Sequence, residues 1–175
     1  NFTATGSNGC GDVATAFVNT KIGDTIKICN GSNERITSNI VGSHYQWQKK
    51  SGYYFSNIQD GYSEKGTNNR TLHIYDARYF TEYRCVVDGL LYSNTVYIKA
   101  ANTWNGSVSN DWGDPANWNC GYVPSRYDEA IIPAGVARFP EVKTDWIVRK
   151  LVIANGASVT VLPGIILNIL PDSGY

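Results

Sequence analysis

Tyr83-Arg84-Cys85-Val86-Val87 alternates as a half-buried strand does, with Tyr83, Cys85 and Val87 sharing one face. Successive side chains of a strand point to opposite sides of the sheet, so a period of two marks one face as core. The same short alternation recurs in Thr25-Ile26-Lys27-Ile28-Cys29, Tyr45-Gln46-Trp47-Gln48, Thr71-Leu72-His73-Ile74 and Thr95-Val96-Tyr97-Ile98. Turn-rich stretches such as Asn30-Gly31-Ser32-Asn33 and Glu64-Lys65-Gly66-Thr67-Asn68-Asn69 separate these runs. Many short strands with such punctuation predict an all-β sandwich or barrel.

Composition agrees. The chain has 175 residues, with 12 Tyr and 17 Gly and no Met, which favours pleated strands joined by tight turns. Its 15 basic and 15 acidic residues cancel without forming blocks, so no face for nucleic acid or anionic lipid is indicated. No apolar run is long enough to span a membrane. The chain opens at Asn1 without an apolar leader, and any signal peptide is expected to be already removed or to lie outside this sequence. Four cysteines outside any metal-like cluster point to an oxidising compartment.

Cys29 and Cys85 stand on two expected strands, Trp47 lies on a strand between them, and Tyr83 precedes the second cysteine by two residues. This arrangement resembles the immunoglobulin pattern of an inter-sheet disulfide, a Trp packed against it and a tyrosine corner. The resemblance implies a Cys29–Cys85 bridge, with Trp47 and Tyr83 as core anchors. Such a bridge would contribute roughly 4 kcal/mol by the loop-closure argument. Two unrelated thiols flanking an incidental Trp are the alternative. Tyr45-Gln46-Trp47-Gln48, Tyr83 to Gly89 and Ser93-Asn94-Thr95-Val96 further resemble the immunoglobulin-like repeats of secreted and surface proteins of the Bacteroidetes, although the gap from Cys29 to Trp47 is longer than usual.

The texture changes after Ala100-Ala101-Asn102, which sets an expected division into a sandwich over 1–101 and a Trp-rich β module over 102–175 that is expected to be incomplete. The run Thr103-Trp104-Asn105-Gly106, Asp111-Trp112, Asn117-Trp118-Asn119-Cys120-Gly121-Tyr122-Val123-Pro124 and Asp128 to Gly135 resembles a Trp-rich module of the same proteins, one that precedes β-rung repeats. Beyond it Leu151 and Ile153, Val159 and Val161, then Leu167 and Ile169 recur every eight residues, with Asn155-Gly156 and Pro163-Gly164 at the corners. That period fits stacked β-solenoid rungs or a short meander of hairpins, and the sequence does not decide between them. In the resembled module a cysteine placed like Cys120 often has a partner near the first rung, where this chain has Val148. A Cys10–Cys120 bridge is one expectation, with separate or intermolecular pairing as the others.

Few residues carry chemistry. His44 and His73 are the only histidines, and both are expected on the surface of separate strands, a poor base or metal pair. No nucleophile elbow, phosphate loop or His-Glu-x-x-His is present. Asp111, Asp114, Asp128 and Glu129 offer oxygen ligands that Ca²⁺ accepts, in no EF-hand order, and Asp capping its own turn is the competing account. Trp104, Trp112, Trp118 and Trp146 are expected to fill a core rather than stack on sugars. Tyr53-Tyr54-Phe55 cannot all face inward on one strand, so the run is a candidate contact for a partner or ligand. Asn1, Asn30, Asn69 and Asn105 fit Asn-x-Ser/Thr, and Asp24-Thr25-Ile26 resembles the short O-glycosylation signal of the same bacterial group at Thr25.

These readings converge on a non-catalytic, cofactor-free structural or adhesive segment of a large extracellular surface protein. The resemblance implies export by a type IX-like route and a place in an adhesin, gliding-motility protein or multidomain hydrolase. Expected partners are other copies or other domains of the same surface protein, or a surface glycan. The alternative is a carbohydrate- or polymer-binding accessory region of a secreted hydrolase.

Overall fold

The computed structural model describes residues 3–7, 13–17, 24–78 and 80–171, so Asn1 and Cys10 lie outside the described residues. The strands are β1 (Thr3–Ser7), β2 (Val13–Phe17), β3 (Thr25–Ile28), β4 (Ser32–Thr37), β5 (Tyr45–Ser51), β6 (Tyr54–Asn57), β7 (Glu64–Lys65), β8 (Thr71–Ala77) and β9 (Thr81–Val87). They continue with β10 (Leu91–Tyr92), β11 (Val96–Thr103), β12 (Glu129–Ile132), β13 (Glu141–Val142), β14 (Trp146–Val148), β15 (Lys150–Ile153), β16 (Thr160–Val161) and β17 (Leu167–Ile169). One 3₁₀ turn at Pro115–Asn117 interrupts them, and no α-helix occurs among the described residues. The fold is all-β.

The first half is sandwich-like. A three-stranded sheet, β4-β8-β7, packs over a long sheet that runs β15-β12-β11-β9-β5-β6, with β3 joined to β11 and β10 to β9. Alternation decides which side chains go inward: Tyr83, Cys85 and Val87 of β9 are buried, as are Leu72 and Ile74 of β8 and Ile98 of β11. Trp47 is fully buried among them, and its indole N–H donates to the Asn69 carbonyl at 2.8 Å, so its one polar atom is satisfied inside the core. The hairpin from β5 to β6 turns on Gly52 and Tyr53, where Gly52 takes φ +58° at the first turn position, as a tight two-residue hairpin requires.

The expected Cys29–Cys85 bridge is absent. Cys29 pairs with Cys120, and Cys85 is a buried free thiol. Strand order explains why. Tyr97 of β11 pairs with Thr25 on one side and Glu82 on the other, so β3 and β9 flank β11 in one sheet rather than facing each other across two. Two strand spacings alone are roughly 9–10 Å, beyond the Cα separation a disulfide tolerates. The mismatch is also longitudinal: β3 is in register with Ala100 at Ile28, whereas β9 reaches Val96 at Tyr83 and carries Cys85 onward the other way. Pairing of Cys120 with Cys29 likewise rules out the expected Cys10–Cys120 bridge. Tyr83 also departs from the corner pattern, because its hydroxyl donates to Glu64 at 2.9 Å, and Lys49 meets the same carboxylate oxygen at 2.8 Å.

The second half is a parallel coil. Glu129 pairs with Lys150, Glu141 with Thr160 and Trp146 with Leu167, each step about twenty residues, the signature of a solenoid turn. Every one of these pairs is parallel, which excludes the hairpin meander. The eight-residue spacing is therefore the distance from side to side within one turn, and the rung-to-rung period is the longer one. The expected division at 101/102 falls inside β11, which has no linker there: residues 96–100 pair with β9 and β3, and Ala101, Asn102 and Thr103 pair with β12. Two buried clusters lie on either side, one drawn from Ile28 to Ile98 and one from Trp104 to Val148.

Candidate functional site at the junction and the coil end

Three features of the molecule carry functional information: the joint between the halves, the outer face of the long sheet, and the last turn of the coil.

The joint is covalent and polar. Cys29 follows β3, which runs parallel to β11, and so arrives where Cys120 sits against the Ala101 carbonyl. Asn102 is fully buried and accepts from the Cys120 N–H at 3.1 Å while donating to the Tyr122 carbonyl at 2.6 Å. The Tyr122 hydroxyl accepts from the Asn30 N–H at 2.8 Å and donates to the Asp128 carboxylate at 3.0 Å. Asp128 is fully buried and also takes the N–H and the hydroxyl of Ser125, at 3.0 and 2.7 Å. Burial, with the Asp128 charge adding to it, pushes the Tyr122 phenol up to about 12. One hydrogen-bonded chain thus runs from the sandwich at Asn30 to the coil at Asp128.

The Trp-rich segment closes the near end of the coil. Trp104 and Trp112 each meet Trp118 edge-on, at ring separations of 5.2 and 4.8 Å, and all three are buried over Ala130, Ile132, Val142 and Val148. Gly106 is required beside them: with φ +56°, a Cβ there would lie 2.5 Å from the Arg138 carbonyl, which accepts the Trp104 indole N–H. Asn117, fully buried, accepts from the N–H groups of Val108 and Ser109 and donates to Ser109 and Asp111, filling its hydrogen-bonding capacity. Sequence reasoning passed over Asn102 and Asn117. Their only signal was an Asn within strand-like or Trp-rich sequence, where a buried amide must satisfy several backbone groups at once.

The remaining candidates disperse. Asp111 accepts from the Gly113 N–H and Asp114 from the Ala116 N–H, each capping its own turn, while Glu129 lies on β12. Among the described residues no three His, Cys, Asp or Glu side chains stand together. His44 is exposed and 3.6 Å from Asp88, and His73 sits on β8 between buried Leu72 and Ile74. Asp88 accepts from the His44 and Ser43 N–H groups, which hold its carboxyl below the ordinary range. Trp146 is half-buried. Of the sequon residues Asn69 is exposed, Asn30 is half-buried beside Tyr122, and the Asn105 amide is engaged with Asn119 and Ser107. Thr25 is exposed.

The outer face of the long sheet is aromatic and cationic. Tyr53 and Tyr54 are exposed, whereas Phe55 packs on the Arg84 guanidinium, which also stacks on Tyr92, at 4.3 and 4.4 Å from the two ring centres. Further along, Phe80 stacks against Tyr97 at 6.0 Å, and the Lys99 and Arg149 cations lie 5.5 and 5.8 Å from its centre. A cavity of about 360 Å³ opens there between the two halves, lined by Lys50, Phe80, Glu82, Tyr127 and Arg149 among others.

The far end of the coil is uncovered among the described residues. Ile153, Val161, Leu162, Ile166 and Ile169 of the last turn are all exposed, Ile166 at 63%. No helix among the described residues is long and apolar enough to cross a membrane.

Residues 103–171, from the end of β11 through the last turn, match a family described as "Domain of unknown function (DUF8693)". No curated protein matches the chain.

Proposed function

We propose that this chain is a non-catalytic structural segment of a large extracellular surface protein, with the bare coil end as its assembly surface. The observation that carries this reading is the last turn. Each strand of the first full turn is covered by the strand about twenty residues on, in parallel register, and β15, β16 and β17 have no such cover among the described residues. Their unpaired backbone edges and exposed isoleucines fit a further parallel coil, from another domain of the same protein or from a second copy. The disulfide supports an oxidising, extracellular setting. At rising concentration the chain should associate through this end, and Ile166→Lys with Ile169→Lys should abolish association while leaving the thermal midpoint nearly unchanged. A chain that stays monomeric at millimolar concentration by light scattering sinks the self-assembling version.

A second reading, the accessory region of a secreted hydrolase, is favoured by the aromatic and cationic outer face. It requires glycan or polymer binding, and a broad glycan array with no signal counts heavily against it.

A further inference from the structure

The cavity between the two halves contains an unbalanced set of charges. Lys50 and Glu82 form a short ion pair at 2.7 Å, with the Glu82 side chain only 7% exposed, so these two neutralise each other. Arg149 and Lys99 both converge on the Phe80 ring, and neither meets a carboxylate among the described residues. Of the cavity's own lining, this leaves Arg149 without a counter-charge, and an anion seated in the cavity supplies one.

The rest of the lining narrows the class of anion. A bare sulfate offers the Glu82 carboxylate no hydrogen to accept. A ligand that carries hydroxyl groups beside its negative charge uses both: the hydroxyls donate to Glu82 and the charge takes Arg149. Phe80 and Tyr127 add flat apolar surface, which suits the C–H faces of a sugar ring. The cavity volume, about 360 Å³, is within the range of small-ligand sites, and its place at a module junction is where such sites concentrate.

We infer that this junction cavity is a binding site for an acidic saccharide of the uronic acid type, its carboxylate held by Arg149 and its hydroxyls by the Lys50–Glu82 pair. The inference rests on the glycan-binding reading given second above and is independent of assembly through the coil end. It makes binding depend on both halves of the molecule, since Lys50, Phe80 and Glu82 come from the sandwich and Tyr127 and Arg149 from the Trp-rich and coil segments.

The test is a titration of the 175-residue chain, followed by two-dimensional NMR, with galacturonic and glucuronic acid and their short oligomers. Glucose, sodium acetate and sodium sulfate serve as comparators. Uronate should shift the amides around Phe80, Tyr127 and Arg149, glucose and acetate should not at equal concentration, and Arg149→Gln should weaken uronate about tenfold or more, the worth of one charge-assisted hydrogen bond. Glu82→Gln separates the chemistries: it should weaken uronate and strengthen sulfate. If Arg149→Gln fails to fold, Arg149→Lys keeps the charge without the paired donors and should still weaken uronate, by a smaller factor. Sulfate or acetate binding as tightly as uronate, or no shift at the cavity with millimolar uronate, overturns the inference. Neutral glycans bound on an array without any uronate would leave the accessory reading standing while this site assignment falls.

Discussion

The two halves solve the same problem, burying the apolar side of short strands, in opposite ways. In the sandwich, antiparallel strands fold two layers over Trp47, and the buried cluster from Ile28 to Ile98 is enclosed by the protein's own chain. In the coil, parallel turns stack in one direction, so each turn is covered only by the next. Three tryptophans close its near end, while the last turn still exposes five aliphatic side chains. A sandwich can finish itself, whereas a coil always needs a cap. The protein joins them through one strand, β11, and one disulfide, so the closed half anchors the half whose last described turn is uncovered.

The largest expected effect comes from the joint. Replacing Cys29 and Cys120 by Ala should cost about 4–5 kcal/mol by the loop-closure argument, since the bridge spans 91 residues. Cys85→Ala should cost only about 1 kcal/mol, a small loss of buried volume. Denaturant unfolding of both variants measures the contrast. Peptide mapping should recover Cys29 joined to Cys120, with Cys85 alkylated only after unfolding. A large loss in Cys85→Ala with a small one in the double variant would reverse the assignment of the bridge.

Next come the two buried tryptophan sites. Trp47→Ala and Trp118→Ala should each cost about 3–5 kcal/mol, but in different places. Hydrogen exchange should show the first loosening β5, β8 and β9 and the second loosening β12 to β14, with β11 the most protected strand in both. If both substitutions melt the whole chain identically, the halves are one cooperative unit and the comparison loses its force.

The smallest effect is confined to alkaline pH. Burial, with the Asp128 carboxylate adding to it, pushes Tyr122 up to about 12 in the folded protein, above the ordinary tyrosine value of 10. With the folded value raised, the stability it contributes is complete below pH 10 and is lost as pH rises toward 12, because the unfolded chain releases its proton first. Tyr122→Phe should flatten that part of the stability profile and leave the neutral range less affected. Denaturation midpoints between pH 9 and 12 check it, and an unchanged alkaline slope would mean that the Asn30–Tyr122–Asp128 chain does not form.

Much of this fold is legible in the sequence. The alternating runs at 25–29, 45–48, 71–74, 83–87 and 95–98 coincide with β3, β5, β8, β9 and β11, because a period of two reports directly which side chains face a core. Cysteine spacing reports nothing about which strands share a sheet, and there the immunoglobulin pattern misled: the pairing follows from β11 lying between β3 and β9. The coil holds a clearer signal than the eight-residue spacing. Ile131-Ile132-Pro133-Ala134-Gly135 and Val152-Ile153-Ala154-Asn155-Gly156 are two copies of one pattern, in register across β12 and β15. The eight-residue spacing hid this repeat, because all three sides of a turn look alike in hydrophobicity. The junction cavity was invisible for a different reason. Lys50, Phe80, Tyr127 and Arg149 are scattered along the sequence, and only strand order assembles them.

The Cys29–Cys120 bridge has a mechanical consequence. Tension applied at the two termini passes from sulfur to sulfur, so residues 30–119, which include strands β4 to β11, bear no load. Reducing the bridge would place that segment in series, and unfolding it under load would add on the order of 300 Å of chain. The bond therefore sets how far the chain can extend under load.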